Sequence, residues 1–205
     1  MKKVYNYWFP DTDIHFERMF NKSLNKGGPA EYQYEVRDKA CEYVNDFSLA
    51  IDIGANVGLW ARPLSEKFTL VKAYEPMPKV LECLHKNCVG HNVEIHEHAL
   101  GNANGTVEMI FTEDNTGNSY ISGKNGSIKI SRVDDLDLPK FGLLKLDVER
   151  HELEVLKGAT ETILKYKPIV VCEQHPDTEY GAGSFLKDLG AKELGNVSKD
   201  YIFGW

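Results

Sequence analysis

The chain has 205 residues, of which 42% are hydrophobic, 27% charged and 11% aromatic. That composition fits a single soluble globular domain and excludes disordered, collagen-like and low-complexity classes. The formal net charge of −7 disfavours non-specific binding to nucleic acid or to an anionic membrane, and no apolar run approaches the roughly 20 residues that cross a bilayer.

The opening stretch, Met1-Lys2-Lys3-Val4-Tyr5, is soon interrupted by Asn6, Pro10 and Asp11 and has no signal-peptide core. Tyr5, Tyr7, Trp8 and Phe9 form an aromatic cluster. It reads as a hydrophobic clasp, with a substrate lid or a dimer contact as the functional alternatives. Residues 1–40 are set apart as an N-terminal extension, and residues 41–205 as the main domain. The four cysteines, Cys41, Cys83, Cys88 and Cys172, do not form a disulfide framework and suit a reducing, cytoplasmic compartment. Cys83, His85, Cys88 and His91 lack zinc-site spacing and follow a helical pattern.

Leu49-Ala50-Ile51-Asp52-Ile53 reads as a buried strand. Val57, Trp60, Leu64 and Phe68 recur at helical spacing after it, with Pro63 as an awkward interior residue. A second strand covers 70–74. Pro78 opens a helix with Val80, Leu84 and Cys88 on its inner face, stopped by Gly90. A third strand covers 93–96. Residues 101–132 read as a hairpin arm, with strands at 106–111 and 127–131 and a polar loop at 112–126. Strands at 142–146 and 169–172 flank one helix carrying Leu153, Leu156, Ala159 and Ile163. A short helix around Phe185 and a last strand at 201–203 complete the chain. Alternating strands and helices imply an α/β fold with a mainly parallel sheet and helices on both faces. Ligands then bind beyond the carboxyl ends of the strands.

Asp52-Ile53-Gly54-Ala55-Asn56-Val57-Gly58 stands at the first such end, and Glu75 at the second. A dinucleotide fingerprint needs glycines at the first, third and sixth positions. Here those positions hold Gly54, Asn56 and Leu59. A carboxylate at position 75 suits a ribose, and the mismatch favours S-adenosyl-L-methionine over a nicotinamide dinucleotide.

Those motifs, with Tyr74-Glu75-Pro76, His98-Ala99-Leu100-Gly101, Lys145-Leu146-Asp147-Val148-Glu149, Leu156-Lys157-Gly158-Ala159 and Pro168-Ile169-Val170-Val171-Cys172-Glu173, resemble the FkbM-type methyltransferases. The resemblance covers about residues 30–205 in order. It implies a Rossmann-like class I methyltransferase with a seven-stranded sheet and an antiparallel last strand. It also implies O-methylation of a small molecule or sugar, with S-adenosyl-L-homocysteine as product. Carried over by position, Asp52, Gly54, Ala55, Asn56 and Gly58 line the methionine end. Glu75 holds the ribose beside Pro76 and Met77, and Ala99 sits near the adenine. Asp147 faces the cofactor's amino group or the substrate. Arg150 stands where the family commonly has glycine.

Methyl transfer to a hydroxyl needs alignment and a base. The candidates are Asp147, Glu149, Glu173 and His175, with His151 nearby. Lys145, in a buried strand, calls for a carboxylate partner. Asp147, Glu173 and His175 are a conceivable metal set, yet no spacing demands one, so no divalent metal is required on this reading. The partner is a small-molecule or sugar acceptor, not nucleic acid or membrane. The oligomeric state stays open, a homodimer included. A non-catalytic adenosyl-ligand-binding scaffold and a nicotinamide-dependent oxidoreductase are the alternatives.

Overall fold

The computed structural model describes residues 1–174 and 181–205. Two short strands, β1 (Lys2–Val4) and β2 (Tyr7–Phe9), precede helices α1 (His15–Asn25) and α2 (Tyr34–Glu42). The main sheet begins with β3 (Leu49–Ile53), followed by α3 (Ala61–Leu64), β4 (Leu70–Tyr74), α4 (Pro78–Asn87) and β5 (Val93–His96). An inserted sheet contains β6 (Ala99–Leu100), β7 (Gly105–Ile110), β8 (Tyr120–Lys124) and β9 (Ile128–Ser131). Then come β10 (Leu143–Leu146), α5 (Glu152–Lys157), α6 (Thr160–Tyr166), β11 (Ile169–Glu173), α7 (Ala182–Asp188), β12 (Lys192–Val197) and β13 (Asp200–Gly204).

The main sheet has seven strands in the order β12-β13-β11-β10-β3-β4-β5. The pairs from β11 through β5 are parallel, whereas β13 runs antiparallel to both neighbours. Every residue of β3 and β10 is buried, as expected of central parallel strands covered on both faces. Side chains alternate across the sheet. Leu49, Ile51 and Ile53 join the core under α5, α6 and α7. Ala50 joins the opposite core with Val36, Trp60 and Leu64. This is the α/β arrangement expected from the sequence, antiparallel last strand included.

Four local expectations need correction. The helix expected across Val57–Phe68 shrinks to Ala61–Leu64. Asn56 and Gly58 take φ of 49° and 93°, which a helix cannot use, and Pro63 supplies no N–H. Val57, Trp60, Leu64 and Phe68 are nevertheless buried, held by turns instead of a continuous helix. The single helix through Leu153 and Ile163 is two helices, interrupted at Gly158 and Ala159. A Cβ on Gly158 would lie 1.9 Å from the Gly101 carbonyl oxygen, so the chain passes too close for any side chain. Asp134 caps the second helix by accepting the Thr162 N–H at 2.9 Å. The expected loop at 112–126 contains β8, which pairs with β7, so the arm is part of a four-stranded sheet. Finally, β12 was not foreseen. None of its residues is buried and they carry no apolar alternation.

The aromatic cluster packs as a clasp. Tyr7 and Phe9 are buried with Phe16 and Phe20 against Val57, Met77 and Val80. Asn87 of α4 accepts the Trp8 N–H at 2.7 Å and donates to the Trp8 carbonyl at 2.9 Å. The cysteines are all free. His85 bonds Glu97 and His91 bonds Ser65, so neither turns toward Cys83 or Cys88 as a zinc ligand. Among the described residues, no helix is long and apolar enough to cross a membrane.

Candidate active site

A cavity of about 410 Å³ opens where β3, β4, β10 and β11 end. That lies within the roughly 300–1,000 Å³ typical of small-molecule sites. Gly54, Ala55 and Asn56 form one wall, Glu75, Pro76 and Met77 a second, and Ala99 part of a third.

The glycine turn is fixed by close packing. Gly54 has φ of 77°, and a Cβ there would lie 1.9 Å from the Asp147 carbonyl oxygen. Only glycine lets the turn after β3 pass so near the end of β10. Asn56 also takes a left-handed conformation, which asparagine tolerates better than most residues. The Glu75 carboxylate, itself buried, accepts the Asn56 N–H at 2.8 Å and the Met77 N–H at 2.8 Å. Burial pushes this carboxyl up to about 7 against the pull of those two donors. Its remaining lone pairs suit hydroxyl donors.

Two predicted cofactor residues do not line the cavity. Asp52 is fully buried beneath the turn, and its Oδ1 lies 3.1 Å from Lys145 Nζ. Gly58 faces α4, where a Cβ would press on Leu84 and Cys88 at 3.1 and 3.2 Å. Both support the turn from behind. Lys145 does reach the cavity, and its Nζ also donates to the Gly54 carbonyl at 2.9 Å. Burial opposes the charge on Lys145, but Asp52 and Asp147 outweigh it and hold the ammonium protonated.

At the other end of the cavity the structure brings together Asp147, Glu149 and Glu173, as the sequence suggested. Each can offer a ligand oxygen within 4.8 Å of the others, and no other such group stands among the described residues. His175 lies outside the described residues. Glu149 and Arg150 have φ of 51° and 71°. A non-glycine residue in that region costs about 1–3 kcal/mol, so Arg150 occupies a backbone conformation that glycine adopts freely. Glu152 braces the same turn by accepting the Val148 N–H at 3.1 Å. Burial, reinforced by Asp147 and Glu173, pushes Glu149 up to about 8.

Asp200 is a fourth carboxylate at this end, and the sequence reading missed it. It opens β13 directly opposite Glu173. An antiparallel last strand starts where its parallel neighbours finish, so the expected topology already contained this hint. Burial, then Asp147 and Glu173, pushes Asp200 up to about 7. Gln33 donates to Asp200 at 3.0 Å and accepts the Trp60 indole N–H at 2.7 Å. Tyr32 lines the cavity beside it, with its phenol raised by burial and by Asp147.

The N-terminal residues roof the opposite part. Buried Asp13 accepts both the N–H and the hydroxyl of Thr116 at 2.9 and 2.8 Å. Thr12 bonds the Glu113 carbonyl, and Ile14 the Asp114 carbonyl. His15, Phe16 and Met19 line the cavity with Asn115 to Ser119.

The strand order, the antiparallel last strand and the ligand-sized cavity define a class I methyltransferase fold. The profile of the Methyltransferase FkbM domain matches residues 52–193, and the chain belongs to that family. A hexuronic acid methyltransferase, AglP, from Haloferax volcanii is 30% identical over 129 residues, covering 58% of this chain and 53% of that protein. The chain spans between 53% and 60% of the length of the curated relatives it matches. The crystal structure of an FkbM methyltransferase from Methylobacillus flagellatus superposes with a TM-score of 0.54 at 17% identity, over 78% of this chain and 44% of that one. A candidate methyltransferase from Streptococcus mutans, crystallised in complex with SAH, gives a TM-score of 0.51 at 10% identity, over 85% and 97%.

Proposed function

We propose that this chain is an S-adenosyl-L-methionine-dependent methyltransferase acting on a hydroxyl of a small molecule or sugar. The observation that carries the reading is Glu75. It is a buried carboxylate at the end of the second parallel strand, tied to the glycine turn and facing the cavity. The donor set fits such a cofactor, with Glu75 for a ribose diol and Asp147 for an ammonium. Asn56 and Leu59 stand where a pyrophosphate loop needs its second and third glycines, which does not suit a dinucleotide. The SAH bound to the Streptococcus mutans structure supports the same choice.

When bound, the cofactor supplies a methyl group already activated on a sulfonium. The protein's share is alignment and removal of one proton. Glu75 accepts the ribose hydroxyls, the turn at Gly54 to Asn56 backs the methionine end, and Asp147 faces the amino group. Glu149, pushed up to about 8, takes the proton of the acceptor hydroxyl at a carboxylate oxygen. The relative's name, hexuronic acid methyltransferase, supports a sugar as acceptor. Asp147, Glu149, Glu173 and Asp200 together oppose a carboxylate beside the reacting hydroxyl, so a neutral hydroxyl suits this end better. We assign no metal to the reaction, and four free cysteines suit a cytoplasmic setting.

The test is release of S-adenosylhomocysteine from an acceptor panel of neutral sugars, uronic acids and small alcohols, with and without EDTA. Turnover of a neutral hydroxyl, unchanged by EDTA, is expected. Turnover confined to uronic acids contradicts the acceptor reading. Dependence on added magnesium would move Asp147, Glu149 and Glu173 into a metal site.

A further inference from the structure

We propose that Lys145 is a positioning residue for the methionine end of the cofactor, acting through the Gly54 carbonyl and the Asp147 carboxylate. The proposal rests on the cofactor reading above and extends it to a residue outside the glycine turn.

Lys145 stands among Leu143, Leu144 and Leu146 on a central strand and is only 3% exposed. An ammonium is costly there unless its donors are used. It has three donors, and three oxygens surround it. Asp52 Oδ1 lies at 3.1 Å, the Gly54 carbonyl at 2.9 Å and Asp147 Oδ2 at 3.8 Å. The strand register sets Lys145 directly opposite Asp52. The Trp60 ring lies 5.9 Å from Nζ and limits where the side chain can swing.

Neutralising Asp52 needs only the first of these contacts. The other two reach groups that wall the cavity. Gly54 and Asp147 belong to different strand ends, and a Cβ on Gly54 would collide with the Asp147 carbonyl. Lys145 is the side chain that bonds one of these groups and faces the other. It therefore sets both the direction of the Gly54 carbonyl and the side on which the Asp147 carboxylate stands. These groups face the amino-acid part of the cofactor and not its nucleoside.

That division gives a test that a merely structural lysine would fail. Replacing Lys145 alone would strand a buried Asp52 charge, so the first variant is Asp52→Asn with Lys145→Met, which removes the pair together. The second is Lys145→Arg, which keeps the charge and alters the reach. Calorimetry compares S-adenosylhomocysteine with 5′-methylthioadenosine, which lacks the amino-acid end, and a thermal midpoint is recorded for each protein. The expected result is a loss of about tenfold or more for the first ligand, with 5′-methylthioadenosine affinity unchanged. An equal loss for both ligands, or unchanged S-adenosylhomocysteine affinity in a folded variant, overturns the proposal. Failure of the unaltered protein to bind either ligand would instead overturn the cofactor reading beneath it.

Discussion

The carboxylate of Glu75 and the backbone N–H of Asn56 are 2.8 Å apart, so the end of β4 holds the turn that follows β3. The same side chain accepts the Met77 N–H at 2.8 Å. One residue thus shapes two walls of the cavity and presents an acceptor to it. Glu75→Gln places an amide donor against one of those N–H groups. Leaving a buried donor unpaired costs about 1–3 kcal/mol. S-adenosylhomocysteine affinity is expected to fall about tenfold or more, as measured by calorimetry on folded protein. Unchanged affinity removes Glu75 from the ribose role.

Ligand binding is expected to release a proton. Burial pushes Glu75 up to about 7 in the free protein. Hydroxyl donors favour the ionised carboxylate, so the bound form has the lower pKa. Affinity therefore rises with pH until the pH passes about 7, by at most about tenfold per pH unit, and then levels. Calorimetry in buffers of different ionisation enthalpy reads the released proton directly. The dependence is absent in Glu75→Gln.

Glu149 carries the expected pH dependence of turnover. Its carboxyl is pushed up to about 8 by burial and by Asp147 and Glu173. The ionised form is the base, so rate climbs as pH rises through about 8 and flattens above it. Glu149→Gln is expected to lower turnover about 10²–10⁴-fold and to remove that limb. A limb that survives the substitution assigns the proton to another group.

Gly54 and Gly90 separate two costs of replacing a glycine at positive φ. Their φ values are 77° and 79°, but a Cβ at Gly54 meets the Asp147 carbonyl at 1.9 Å and one at Gly90 meets nothing within 4 Å. Gly90→Ala is expected to lose about 1–2 kcal/mol of stability from the backbone alone. Gly54→Ala adds an overpacking cost of about 1–3 kcal/mol. Urea unfolding of both variants measures the difference. Equal losses contradict the close approach of β3 and β10.

The central sheet was legible because its strands are short apolar runs separated by helical spacing. Leu49 to Ile53 and Leu70 to Tyr74 have the bounds read from the sequence. The cavity walls at Gly54 and Glu75 were legible for the same reason, since both residues stand at strand ends. Other features depend on distant partners. Gly158 breaks a helix because Gly101 passes beside it, and local spacing says nothing of Gly101. Thr116 is buried because Asp13, 103 residues away, accepts its N–H and hydroxyl. Tyr32 and Gln33 enter the cavity from a segment that precedes the family match at residue 52. Asp52 precedes the turn, but it lies within β3, fully buried, with its carboxylate 3.1 Å from the Lys145 ammonium that stands between it and the cavity groups.

The most direct measurement is calorimetric titration of the purified chain with S-adenosylhomocysteine, with NADH as the control ligand and Glu75→Ala as the paired variant. The account predicts binding of S-adenosylhomocysteine alone, lost or strongly weakened in Glu75→Ala. Binding of NADH, or no binding of S-adenosylhomocysteine by folded protein, would contradict it.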